Sequence, residues 1–322
     1  MTKPSAASFA VLMLALSMVG FGLVPLFARR MTDAGLAPAA VSMFRYMLPA
    51  LVFLPFLKLR GQAGRTTLWG FSSGLLVTFG WVGYVKSLTM IPVPVAGVLY
   101  MTYPLFTLAV GWAVFRDRPH PLSILAGAII LAAAALVSDF GGAGGRIAPE
   151  AVLLALAAPA SFGLGINVLA RKMVAIPMPS RIAAFSSGST LGLLPVIATI
   201  PLARVIPPDL TGWLNVAGLT FLTAFLPQIL YNTYVPKVGA AKSGAVGALE
   251  LPTMFAVGWL FLGDAVGPRE AVAGALVLAA ILLTPAREPP VPDALPVPPS
   301  PGKLRPGARP GARPDARPEG TP

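Results

Sequence analysis

Long apolar runs alternate with short polar or basic connections along the whole chain. Ten runs approach the roughly 20 mainly apolar residues that a membrane-spanning helix needs. They are Ser8–Ala28, Pro38–Leu57, Thr67–Val85, Pro94–Phe115, Pro121–Ser138, Glu150–Leu169, Ile182–Ala203, Gly212–Val235, Ser243–Leu262 and Arg269–Thr284. The connections leave no room for a soluble domain. The first apolar run, Phe9 to Phe27, exceeds the roughly 7–15 residues of a secretory h-region, so it reads as a retained helix.

Proline punctuates the pattern. Pro38, Pro94 and Pro121 sit at helix starts, where a missing N–H costs nothing. Pro25, Pro49, Pro104, Pro159, Pro195, Pro227 and Pro252 fall inside runs and predict kinks. Gly70 with Gly74, and Gly188 with Gly192, are small-xxx-small pairs that let helix backbones approach in lipid.

Composition fixes the class. Of 322 residues, 56% are hydrophobic and 11% charged, at a mean hydropathy of +0.77. A soluble chain carries about 25% charged residues. The prediction is an all-α polytopic membrane protein. With no Cys and one His, His120, neither a thiolate nucleophile nor a metal site is expected, and no cofactor is called for. The net charge of +12 fits positive-inside bias better than nucleic-acid binding. With the N-terminus inside, 11 Lys and Arg face the cytoplasm before the tail, against 6 outside. Both termini are therefore expected in the cytoplasm, in an inner membrane. From Ala286 onward, 12 of 37 residues are proline, in an Arg-Pro beat that cannot bury a core, so 286–322 is expected to be a disordered tail.

The chain also repeats itself. Residues 109–133 and 256–280 share 12 identities in 25 at an offset of 147, including Trp112 with Trp259, Asp117 with Asp264, and Pro121 with Pro268. Two homologous halves, 1–140 and 141–285, would each hold five helices. An odd number inverts the second half in the membrane. Ten transmembrane helices as two inverted five-helix repeats form a transporter architecture, with the solute near the midplane.

The run from Ala96 through Tyr103-Pro104-Leu105-Phe106-Thr107 to Asp117 and Ala126-Gly127 resembles the drug/metabolite transporter superfamily, in its ten-helix EamA-type branch. So does the run from Gly247-Ala248 through Leu251-Pro252 and Gly263-Asp264 to Ala273-Gly274. The resemblance implies export or exchange of small metabolites, often proton-coupled, across a bacterial inner membrane. Two positions depart from the family pattern. Asp replaces the usual Glu at 117 and 264, and Arg116 stands where the family has glycine. Arg45 resembles an arginine common in the second helix of the family.

Ionisable groups at membrane depth mark functional sites. Two stand out, Glu250 and Arg45. Glu250 is either a proton-coupling carboxyl or a neutral buried strut. Arg45 is either a seat for a solute carboxylate or a tether to helix-end carbonyls, and a direct pair between the two is not expected. Polar and aromatic stripes accompany them: Tyr100 and Tyr103 in helix 4, Trp81 and Tyr84 in helix 3, Asn167 in helix 6, and Gln228, Tyr231 and Asn232 in helix 8. Together they predict an aromatic, amide-rich cavity. Asp117 and Asp264 read as caps or tethers of helix ends.

The leading function is a secondary transporter, an exporter of a small metabolite, amino acid or drug. Its partners would be the solute, membrane lipid and, as coupling ion, protons. An uncoupled facilitator is the alternative within transport, and a lipid-translocating or scaffold protein the alternative outside it. An enzyme is not expected: no Ser–His dyad, metal-ligand set or carboxylate pair occurs within a span. Oligomeric state is open.

Overall fold

The computed structural model describes residues 6–138, 147–173, 175–238, 243 and 246–284. The expected tail, 286–322, lies outside them. Every regular element among the described residues is helical. In chain order these are α1 (Ala6–Gly22), α2 (Val24–Asp33), α3 (Pro38–Phe53), α4 (Gly61–Ser87), α5 (Val93–Tyr100), α6 (Tyr103–Phe115), α7 (Pro121–Ser138), α8 (Pro149–Lys172), α9 (Met178–Ile197), α10 (Leu210–Ala217), α11 (Leu226–Val238), α12 (Glu250–Leu262) and α13 (Pro268–Leu283). A π-helical segment, Gly218–Phe225, joins α10 to α11.

Seven helical segments among the described residues are long and apolar enough to cross a membrane. They are Ser8–Asp33, Pro38–Phe56, Gly61–Ser87, Val93–Phe115, Pro121–Ser138, Pro149–Lys172 and Leu210–Val235. Three predicted runs give less. Helix α9 carries Arg181 and a cluster of buried serines, while α12 and α13 span only 13 and 16 residues. The outside of the bundle is apolar, as lipid demands. Trp112 and Trp259, equivalent in the two halves, are 64% and 63% exposed.

Not every interior proline acts alike. Leu23 interrupts the first run just before Pro25, which then sits near the start of α2. The fourth run breaks at Met101–Thr102, before Pro104. Pro49, Pro159 and Pro195 remain inside continuous helices. In the eighth run the irregularity is the π segment, ending two residues before Pro227.

The two halves interleave. Helix α4 packs against α8 and α9, and α3 against α9. The predicted glycine pairs make the closest of these contacts. A Cβ on Gly74 would run into the Phe185 backbone, and one on Gly188 into that of Phe71. The Ser189 hydroxyl donates to the Gly74 carbonyl at 3.0 Å across the crossing. The alanine-rich helices α7 and α13 pack on each other through Ala126, Ile130 and Ala280.

Candidate functional site

The site is built around two helix interruptions, one in each of the two stretches that the repeat relates. Turn residues Met101–Thr102 separate α5 from α6, and turn residues Ala248–Leu249 precede α12. These interruptions are 147 residues apart, the offset of the sequence repeat. Tyr103 therefore begins one half-helix and Glu250 the other. Both half-helices end alike. The Asp117 N–H donates to the Gly111 carbonyl at 3.0 Å, and the Asp264 N–H to the Gly258 carbonyl at 2.9 Å. Glu250 thus heads a helix at a break, rather than lying seven residues into a regular one. There its carboxyl meets the positive end of the helix dipole.

Glu250 is 7% exposed and Arg45 8%. They form no direct ion pair, as the sequence led us to expect. Glu250 interacts through space with Tyr84, Tyr100, Tyr103 and Tyr231. Helix α3 carries Arg45 inward, where its guanidinium carbon lies 3.9 Å from the Trp81 ring centroid and 5.7 Å from that of Tyr46. A ring face partly replaces the water a buried cation has lost. Nη2 of Arg45 donates to the Thr223 carbonyl at 3.4 Å, while Nε and Nη1 have no partner. Thr223 belongs to the π segment, whose altered turn redirects its carbonyls. The Thr220 hydroxyl of the same segment donates to the Phe44 carbonyl at 3.1 Å.

Aromatic rings run from Arg45 toward the start of α6. Trp81 lies 5.3 Å from Tyr84 and 5.6 Å from Tyr100, and Tyr84 lies 5.5 Å from Tyr100. Tyr100 continues to Tyr103 at 5.9 Å, and Phe162 of α8 sits 5.6 Å from Tyr103. Five predicted residues, Arg45, Trp81, Tyr84, Tyr100 and Tyr103, are therefore linked in one cluster, and Glu250 heads α12, which packs on α5. Tyr231 is more peripheral, at 37% exposed with its ring edge-on to Phe21.

Other candidates are placed elsewhere. The Asn167 side-chain amide donates to the Thr107 and Gly163 carbonyls, both at 2.9 Å, and its oxygen accepts from Arg171 Nε at 3.3 Å. Arg171 in turn pairs with Asp117. Asn167 thus belongs to a polar lock at the ends of α6 and α8. Asn232 donates back to the Gln228 carbonyl at 2.8 Å within α11, and no described contact brings either residue to Arg45 or Glu250. Asp264 accepts the Val93 N–H at 2.7 Å, capping α5 from the opposite half, because Pro92 at the cap position has no capping side chain. Phe162, Tyr46 and the Thr223 carbonyl were not legible as site components. The first two look like ordinary packing residues, and the third is backbone.

Surface hollows of about 450 and 490 Å³ lie at helix ends, around Leu57–Ala63 and around Phe27, Arg30 and Asp209. Neither includes Arg45 or Glu250. Arg45, Trp81, Tyr84, Tyr100 and Glu250 are buried.

An all-helical bundle with membrane-length apolar helices and a buried pair of opposite charges defines a multi-pass membrane protein. The chain belongs to the EamA-like transporter family, whose model matches residues 8–139 and again 150–285. Its family is one of transporters, generally not enzymes. It is 24% identical over 200 residues to the uncharacterized transporter sll1319 of Synechocystis sp., an alignment covering 59% of this chain and 58% of that relative. A solved crystal structure aligns with 86% of this chain and 96% of its own at TM-score 0.56 and 18% identity, a likeness of fold.

Proposed function

We propose that the chain is a secondary transporter exporting a small metabolite, amino acid or drug across the cytoplasmic membrane, with Glu250 carrying the coupling proton. Ten helices in two inverted five-helix repeats, with both termini cytoplasmic, are the arrangement this reading assumes. The observation that carries it is the placement of Glu250. A buried carboxyl heads a half-helix at a break that recurs 147 residues earlier, in a bundle that also buries Arg45 and Tyr84, Tyr100 and Trp81. A broken helix gives such a site two parts that can swing separately.

The test is a metabolite screen in proteoliposomes, with and without an imposed proton gradient. Gradient-driven accumulation of a solute supports the reading. Equal exchange with and without the gradient would make the chain an uncoupled facilitator.

A further inference from the structure

Arg45 has more donors than the fold supplies with acceptors. Of its three guanidinium nitrogens, only Nη2 is engaged, by one long hydrogen bond to the Thr223 carbonyl. Nε and Nη1 flank Nη2, so each two-pronged edge of the guanidinium keeps a donor without a partner. The hydroxyls of Ser42, Thr78 and Tyr84 are also buried and unpartnered. Ser42 lies one turn from Arg45 on α3, and Thr78, Trp81 and Tyr84 recur every third residue along α4. Trp81 covers the guanidinium face, leaving its in-plane edges for hydrogen bonding.

A buried cation needs a counter-charge or strong acceptors. Glu250 does not pair with Arg45, so among the described residues this demand is unmet. An ion with paired oxygens meets it, because the arginine fork matches carboxylate and phosphate geometry bidentately.

We infer that the transported solute carries an acidic group, a carboxylate or a phosphonate, seated on Arg45 with the Tyr84 hydroxyl beside it and the Trp81 ring behind. The inference deepens the transport reading by naming the solute's chemical class. Nη2 carries two N–H groups and gives one to the Thr223 carbonyl, so one complete edge of the fork stays free for the acid while Thr223 holds the arginine in place.

The experiment uses the full chain in lipid nanodiscs and matched probe pairs: phenylacetate with phenylacetamide, benzoate with benzamide, and benzylphosphonate with benzyl alcohol. Thermal stability and tryptophan fluorescence are read against probe concentration. Acids should stabilise the protein while their neutral partners do not. Arg45→Lys, which keeps the charge but loses the fork, should weaken acid binding at least tenfold, and Arg45→Gln should abolish it.

Equal shifts from acids and neutral partners would overturn the inference, as would no acid-specific shift, or acid binding undiminished in Arg45→Gln. Water would then be what satisfies these donors. Should Arg45→Gln not fold, the acid-to-amide contrast in the wild type and the Arg45→Lys comparison still decide. Because binding is read without transport, a carrier that moves only neutral or cationic solutes would sink this inference and leave the transport reading standing.

Discussion

Arg116 and Gly263 occupy the same place in the two halves, 147 residues apart, and both end a helix in the left-handed conformation, at φ 56° and 72°. Glycine adopts that conformation freely. A side chain there costs roughly 1–2 kcal/mol. Arg116 is the only non-glycine residue with positive φ among the described residues. Arg116→Gly should therefore raise the stability of the detergent-solubilised protein by about 1 kcal/mol. Gly263→Ala should lower it by a similar amount. Thermal unfolding of both variants checks this, and a less stable Arg116→Gly protein would show that the arginine makes contacts outweighing its strain.

The crossing of α4 and α9 depends on two glycines. Gly74 faces the Phe185 backbone and Gly188 that of Phe71, so neither can carry a side chain unless the helices separate. Gly74→Leu and Gly188→Leu should each abolish accumulation of folded protein, read as loss of the monodisperse peak in size-exclusion chromatography. Gly35→Ala is the control. Its site is open, so it should cost only the roughly 1 kcal/mol of its positive φ. A monodisperse Gly74→Leu protein would mean that the crossing is far more pliable than the geometry implies.

Asp264 caps α5 from the other half. Removing a side-chain cap typically costs about 1 kcal/mol. Asp264→Ala should lose that much stability, and Asp264→Asn, which keeps an acceptor oxygen, should lose less. If Asp264 and Val93 also hold that end of the two half-helices together, Asp264→Ala should increase labelling by a thiol reagent of a cysteine placed at Tyr100 in this otherwise cysteine-free chain. Unchanged labelling would reduce the contact to a local cap.

Much of this was readable from sequence because lipid imposes simple rules. Apolar runs pointed to membrane helices, seven of which among the described residues are long and apolar enough to span, and the 147-residue echo agrees with a family model that matches twice, at 8–139 and 150–285. Asp117 and Asp264 read correctly as tethers of helix ends, and the glycine pairs as close-packing devices. Other features left no mark in the residue pattern. The π segment at Gly218–Phe225 is a change in backbone hydrogen bonding that no side chain announces, so the Arg45–Thr223 contact could not be foreseen. Asn167 looked like a cavity amide because its partner from α6, the Thr107 carbonyl, meets it only in the folded bundle, whereas Gly163 and Arg171 lie one turn away on α8 itself. Pro104 and Pro252 marked the broken helices, but Pro49, Pro159 and Pro195 in unbroken ones look the same. What differs is the packing around them.

The measurement that tests the central claim most directly compares wild type with Glu250→Gln in proteoliposomes, using a solute found by the screen and an imposed proton gradient. Gln keeps the size of Glu and can still donate and accept hydrogen bonds, but it cannot release a proton. The account predicts that wild type accumulates solute against its gradient when protons are supplied. The Glu250→Gln protein should fold and exchange solute downhill but fail to accumulate it. Its transport should also be insensitive to pH where that of the wild type is not. Equal gradient-driven accumulation by the two proteins would contradict the account and leave Glu250 as a buried strut at the head of α12.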